Sequence, residues 1–406
     1  MISQKDLSGY FGVLISSRAW REMSKNQPHY RLVQLAEANK EVYFNVYFFP
    51  VKNIDLIEES ITGYYYDFIE KTWKTGSFPY PDVLYRRGGP SRKFREHYHT
   101  FLDQCHKRDT IMLNPVPLGN WEIYDYFGKV KRLKPYLMET ILYRRPDHLF
   151  NMLKKHQNVY MKGVTGRKGE QVVRVEIVRD NLYKCKYYNH SKQRIRTKRF
   201  KTMDDMIPFI NKFYKGKNFM VQEGIDLLEL DGRRLDLRAE LQRNKKGEID
   251  ITGISARMSK KNSPVTIHSD AYKLEKLFDL LKFSKEKKVA LKQEIEDFLY
   301  MVYEDTERKY GVFAEIGIDF ALTKDLEIKF IECNSQSAKV SLQKAFGEHA
   351  IHHVMINILS YSKYLVNKKE EEKKEQSSEI MATDLKKWED FKRWSKEKWE
   401  KLKEKG

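Results

Sequence analysis

The stretch GIDFALTKDLEIKFIECNSQSAK, residues 317–339, constrains this chain more than any other. Two apolar, β-branched runs, 317–322 and 327–333, flank the turn-forming TKDL, a pattern that predicts an antiparallel hairpin. Asp319 sits inside the first run, and Glu332 and Asn334 close the second. Residues i and i+2 share a strand face, so Glu332 and Asn334 point the same way. With Asp319 paired near Glu332, three oxygen-bearing side chains converge. Hard divalent cations favour that donor set, and Mg²⁺ in particular combines one or two carboxylates with phosphate oxygens. The competing reading is a solvated ribbon with its polar groups facing out. The flanks IGIDFAL and IKFIECN are apolar, and unpaired carboxylates among them would be costly to bury. Cys333 lies between two of these residues but faces the other side of the strand, where we expect it in the core.

A metal that handles phosphate needs a phosphate cradle. KGVTGRKG offers Lys162 at a strand end, followed by Gly166 and Gly169. Glycines let backbone close over a phosphate, and lysine adds a point charge. A plain hairpin turn with surface lysines fits the same residues. FMVQEGIDL reads as a strand stopping at Gln222-Glu223-Gly224, either a hinge that meets a base and a ribose or an ordinary exit into a loop. In RLDLRAELQRN, Asp236 and Arg238 share one strand face, and Arg257 follows in SARMS. Arginine suits bidentate contact with phosphate or carboxylate, and an Asp–Arg structural pair is the alternative.

Around these segments the chain alternates between strand and helix patterns. YFGVLI (10–15), EVYFNVYFF (41–49) and VLYR (83–86) read as buried strands, with helices expected over 28–39 and 54–74. That predicts a small α/β domain with a parallel sheet, ending near the breaker cluster NPVPLGN at about residue 115. Further helices are expected over 121–131, 146–156, 203–215, 271–309 and 345–365, and strands joined at Lys246-Gly247. Beyond Val366 comes a charged linker, then a helix whose Leu385, Trp388, Phe391, Trp394, Trp399 and Leu402 share one side and lysines crowd the other. Such a helix suits a membrane surface or an acidic partner. The expected units are therefore 1–115, 116–365 and 366–406.

Composition sets outer limits. The 406 residues carry a net charge of +19, which favours polyanionic partners. KCKYYNHSKQRIRTKRFK mixes aromatics and cations as single-strand binders do, but charges alternating along an exposed sheet face explain it better, so nucleic acid is not an expected partner. No apolar run approaches the length of a membrane span, and the first residues do not read as a signal peptide. Three dispersed cysteines fit a reducing, cytoplasmic setting.

Taken in order, PDVLYRR, LKPYLMET, NVYMKGVTGRKGEQVVRVE, FMVQEGIDLL, RLDLRAELQRNKKGEIDITGISARM and the opening stretch resemble the ATP-grasp superfamily, in particular the YheC/YheD-like, endospore coat-associated family. The resemblance covers about residues 80–350. It implies an ATP-grasp fold, two α+β subdomains clamping ATP behind a small α/β pre-domain. It also implies ATP and Mg²⁺ as cofactors and an ADP-forming ligase that joins a carboxylate to an amine through an acyl phosphate. By residue, it implies Lys162 at the ATP phosphates, Gly166 and Gly169 in the flap, and Gln222 and Glu223 at adenine and ribose. It places Arg238 and Arg257 toward phosphate or acceptor, and Asp319, Glu332 and Asn334 on the metal. The substrates would be an unknown carboxylate and amine, those of peptides or proteins included, with spore coat proteins as partners and the spore coat as a second location. A non-catalytic ATP-binding coat or scaffold protein and an ATP-grasp kinase are the alternatives. The chain departs from similar sequences at Lys162-Gly163, where they have Lys-Pro; at Leu137–Thr140, where they have Pro; at Asn120, where they have Lys; and at Ser335-Gln336-Ser337, where they have Lys-Pro-Gly.

Overall fold

The computed structural model describes residues 9–164, 171–179, 182–189, 191–259 and 270–403. Gly166 and Gly169 lie outside the described residues. The chain builds three sheets, each in a different stretch of sequence.

The first sheet has a parallel centre. Tyr10–Leu14 pairs in parallel with Asn45–Phe49 and with Val83–Arg86, and Val83–Arg86 pairs in parallel with Ile111–Leu113. These strands are short and nearly continuous in Val, Leu and Phe because both faces are covered. On one face lies the core of Tyr98, Phe101 and Cys105 from the helix Arg95–Lys107. On the other, Leu32 and Leu35 of the helix Tyr30–Ala38 join Ile351, Val354 and Ile358 from the far end of the chain.

The expected helix over 54–74 is instead a β-meander: Ile54–Asp55, Ser60–Asp67 and Thr72–Pro79 are antiparallel strands. Tyr64, Tyr65 and Tyr66 and the β-branched Ile61, Thr62, Thr72 and Thr75 favour extended backbone. Asp67 turns the hairpin by accepting backbone N–H groups from Ile69 (2.9 Å) and Glu70 (3.0 Å).

The second sheet runs, edge to edge, through Arg194–Phe200, Leu182–Asn189, Val172–Arg179, Asn158–Gly163, Phe219–Glu223 and Thr140–Leu142. One face packs on the helices Pro146–His156 and Met203–Tyr214 through Val159, Met161, Val173, Val175 and Val221. The third sheet runs through Asp270–Lys273, Ile249–Met258, Arg233–Arg243, Glu315–Leu322 and Ile328–Asn334. It is closed by Asn120–Phe127 and the 26-residue helix Lys285–Tyr310. The expected helical region 271–309 is interrupted: Leu274–Leu280 ends before Ser284, whose hydroxyl caps the longer helix by accepting from the Lys287 N–H at 3.3 Å.

At the C-terminal end, helix Val340–Phe346 precedes Glu348–Lys403. The latter packs on the first sheet through Tyr361, Leu365 and Val366 and then continues. The stretch read as a charged linker is helical, because KKEEEKKE consists of strong helix formers with pairs such as Lys368–Glu372 at 3.9 Å. Trp388 on this helix is 54% exposed, and the side chains of Leu385, Phe391, Trp394, Trp399 and Leu402 lie outside the described ones. Among the described residues no helix is long and apolar enough to cross a membrane.

Candidate functional site

The hairpin Glu315–Leu322 and Ile328–Asn334 forms as its pattern requires, with Asp319 directly opposite Glu332 and Gly317 opposite Asn334. A register shift between Asp319 and Phe320 leaves the acidic end of the ladder locally irregular, which is where a sheet can re-aim side chains. The Asn334 amide donates to Glu332 Oε1 at 3.1 Å. Asp319 is 4% exposed and Cys333 5%, the latter in the core as expected.

Strand Arg233–Arg243 lies alongside, and its register sets Arg238 opposite Asp319 and Asp236 opposite Arg257. Arg238 grips Asp319 in a fork, with Nη2 at 2.8 Å from Oδ2 and Nε on Oδ1. Arg257 donates to Asp236 at 2.6 Å and reaches Asp319 at 3.1 Å. Bidentate arginine–carboxylate pairs of this kind are the stronger class of charged contact. A side chain at Gly317 would fall 2.9 Å from Arg238 Nη1 and 3.0 Å from Ser337, so glycine is what admits the guanidinium here. Both arginines were read from sequence as facing phosphate or acceptor; here each is held by a carboxylate of the same cleft.

Lys162 comes from the other sheet. It alternates with the core residues Val159 and Met161 and so faces away from the covering helices. Its ammonium donates to Gln222 Oε1 at 2.7 Å, and the Gln222 amide donates to Thr140 at 3.0 Å. Arg234 of the third sheet donates to the Tyr160 hydroxyl at 2.8 Å, so the two sheets meet across this face.

Electrostatics tie the groups together. Burial pulls the Lys162 pKa below the usual lysine value, against the opposing fields of Glu332, Asp319 and Asp236. Burial also opposes ionisation of Asp319, but Arg238 and Arg257 outweigh it and hold its carboxyl at about 2. Glu332 is pushed up, first by burial and then by Asp319. A buried carboxylate raised by its acidic neighbour is a place where a cation gains most. Two carboxylates and an amide are also the hard oxygen donors Mg²⁺ takes, so the residues fit that ion.

Glu223 does not join this group. Strand alternation turns it to the opposite face from Gln222, where its carboxylate lies 3.3 Å from His156 Nδ1. Glu139 takes the other ring nitrogen at 2.8 Å and Lys155 at 2.5 Å. These three side chains, Glu139, His156 and Glu223, could together contact a metal, but each already has a charge partner. The period-2 rule applied to Gln222-Glu223 foretells this separation, and the reading of both as hinge contacts is corrected for the Glu223 carboxylate.

Sequence reasoning missed the side chains that brace this group. The Ser337 hydroxyl accepts from Arg238 at 3.2 Å and donates to the buried Glu240. Glu315 is bonded by Lys339, by Arg87 at 2.6 Å and by the Tyr85 hydroxyl at 2.8 Å. Lys339 and Arg87 keep its carboxyl low despite burial. The Gln336 amide donates to the Arg86 carbonyl at 3.0 Å. The loop after Asn334 is thereby bolted to the first sheet. Asn120 donates to the Gly163 carbonyl at 3.2 Å, beside the end of the Lys162 strand.

A family model described as "YheC/D like ATP-grasp" matches residues 109–365. Endospore coat-associated protein YheD of Bacillus subtilis (strain 168) is 26% identical over 317 residues, which cover 75% of this chain and 66% of that one, so the chain spans just under two thirds of that relative. Endospore coat-associated protein YheC of the same organism is 20% identical over 334 residues, covering 80% and 90%. Among solved structures, macrocyclase MdnC bound with precursor peptide MdnA from Microcystis aeruginosa MRC aligns with a TM-score of 0.49 at 12% identity, covering 86% of this chain and 98% of that one. D-alanyl-alanine synthetase A from Vibrio cholerae O1 biovar eltor aligns with a TM-score of 0.47 at 12% identity, covering 87% and 98%. The chain folds as an ATP-grasp protein and belongs to the YheC/D-like ATP-grasp family.

Proposed function

We propose that this chain is an ATP- and Mg²⁺-dependent ligase that joins a carboxylate to an amine through an acyl phosphate, releasing ADP. The observation that carries the reading is the convergence of Asp319, Glu332 and Asn334 with Arg238 and Arg257 on one sheet, facing the field of Lys162 on another. Asp319, Glu332 and Asn334 would hold the ion, whose charge offsets that of the β- and γ-phosphates. Lys162, Arg238 and Arg257 stabilise the charge that spreads over the transferring phosphoryl group, and Gln222 with Thr140 lines the base side. A substrate carboxylate attacks the γ-phosphorus and ADP leaves. An amine then adds to the acyl carbon and expels phosphate. The side chains position and neutralise, and the chemistry needs no side-chain nucleophile.

In this reading residues 1–115 form the pre-domain, 116–365 the ATP-grasp unit and 366–406 a helical extension. The setting is cytoplasmic, with the forming spore coat as the destination that the names of the relatives suggest. The test is to incubate purified protein with ATP, Mg²⁺ and amino acids or coat-derived peptides, following ADP against AMP and the product mass. ADP together with a product heavier by one condensation supports the ligase. ADP with a phosphorylated product makes it a kinase. A second reading, an ATP-binding coat protein without turnover, is favoured by one feature: both oxygens of Asp319 are already taken by guanidinium groups. Nucleotide binding with no product under any acceptor would establish it.

A further inference from the structure

The face of the second sheet that carries Lys162 continues outward past the cleft. Register places Arg174 opposite both Tyr160 and Lys186, and Glu176 opposite Lys184, which in turn lies opposite Arg199 on the last strand. Lys162 pairs with Val172, so Arg174 is its diagonal neighbour, roughly 7–8 Å away along the sheet. One face thus carries a row of cations running from the cleft to the sheet edge, with Glu176 as its one acid.

Glu176 does not balance the row. It is shared by Arg174, at 3.1 Å, and Lys184. Their side chains are only 17% and 21% exposed, low values for surface charges. Arg174 Nε is buried with no hydrogen-bond partner. Lys186 is pushed below the usual lysine value by burial and then by Lys184, with Arg174 adding to the effect and Glu176 opposing it. Like charges packed this closely, with an unpaired guanidinium nitrogen among them, leave the patch short of anions.

The outer strand explains what shape of anion fits. Arg194–Phe200 is the terminal strand of its sheet, so one row of its backbone N–H and C=O groups faces outward. It carries Arg194, Arg196, Lys198 and Arg199 and no acid. That charge repels a second copy of the same edge and admits a strand of opposite sign. We infer that this edge and the cationic row beside it form a docking site for an extended acidic polypeptide, one part of which adds as a further strand along Arg194–Phe200 while its continuation crosses the face over Arg199, Lys184, Lys186 and Arg174 toward Lys162. The inference deepens the ligase reading on which it rests, by naming an acidic peptide or protein as the class of carboxylate substrate. A nucleic acid meets the charge but has no use for the backbone row.

The test is binding of a fluorescein-labelled decapeptide of alternating Glu and Val to the full chain, by anisotropy at low salt. Peptides with Gln for Glu, a version N-methylated at alternate residues, and a ten-nucleotide thymidine strand serve as comparisons. We expect the acidic peptide to bind at least ten times more tightly than each of the three. The double variant K186E/R199E should lose at least tenfold, and K186R/R199K should retain binding. Both variants should bind ATP as the parent does in calorimetry, which separates this site from the nucleotide cleft. Equal binding of the N-methylated peptide would overturn the added strand, and tighter binding of the oligonucleotide would overturn the class of partner. Unchanged peptide affinity in K186E/R199E would overturn the site. Because the peptide assay uses no ATP, any of these results leaves the ligase reading standing, whereas absence of ATP binding would remove that reading without touching the peptide result.

Discussion

Replacing Lys162 by Met should separate nucleotide affinity from stability. The side chain keeps its length and loses its charge. In the parent, the ammonium meets the Gln222 oxygen at 2.7 Å and faces three carboxylates, yet burial still lowers its pKa. Desolvation therefore exceeds the local attraction, and removing the charge relieves a cost. Against that relief stands the Gln222 oxygen left without its donor, worth about 1–3 kcal/mol when buried. The two terms oppose, so unfolding in urea should shift by no more than about 2 kcal/mol. Nucleotide binding has no such compensation. A charge-assisted hydrogen bond to phosphate is worth about 1.5–3 kcal/mol, or roughly 10- to 150-fold in Kd. Calorimetry with ATP and Mg²⁺ reads the affinity, and urea titration followed by tryptophan fluorescence reads the stability. An unchanged Kd would refute the placement of Lys162 at the phosphates. A stability loss of 4 kcal/mol or more would show that Lys162 is a structural cation and that any affinity loss is indirect.

Other perturbations follow from the same charges. Glu332 is raised above its ordinary value, so its ionised form at pH 7 disfavours the fold; Glu332→Gln should leave the urea midpoint equal or higher while abolishing ATP turnover, and retained turnover would remove Glu332 from the clamp. Asp319, held at about 2 against an ordinary 3.8, contributes stability of roughly 2 kcal/mol that is present above pH 4 and lost as pH falls toward 2; acid titration of Asp319→Asn should lack that part of the limb, and a curve parallel to the parent's would show that the guanidinium pairs add nothing. Truncation after Val366 keeps Tyr361 and Leu365 against the first sheet, so ATP binding should persist and recruitment to the site of action should fall; loss of ATP binding or aggregation would make the extension part of the folded unit.

What the sequence disclosed, and what it hid, divides by range. The convergence of Asp319, Glu332 and Asn334 was legible because they lie on adjacent strands of one hairpin, and strand period alone places them. The parallel centre of the first sheet was legible from its short apolar strands. The meander over 54–79 was not, because its turn rests on an Asp67 contact that any Asp can make. The Glu223 side chain turns from the Gln222 face toward His156, as strand alternation requires. Hidden altogether were the long-range supports: Arg87 to Glu315, Ser337 to Glu240, Arg234 to Tyr160. Each joins segments far apart in the chain, and no local pattern carries the pairing.

Those supports bear on how the site can work. Lys162, Arg238 and Arg257 face Asp236, Asp319 and Glu332, so the cleft is close to neutral before any ligand arrives. A triphosphate needs guanidinium groups that Asp319 and Asp236 now hold. Arg238 and Arg257 can turn toward phosphate oxygens only if another cation takes over their carboxylates, since an uncompensated buried charge costs several kcal/mol. The Ser337 hydroxyl, held by Glu240, keeps a contact with Arg238 and limits how far that side chain travels. On the proposed function, nucleotide and divalent cation would be coupled through the arginines: each would make the other's site available, and by linkage the coupling would be reciprocal.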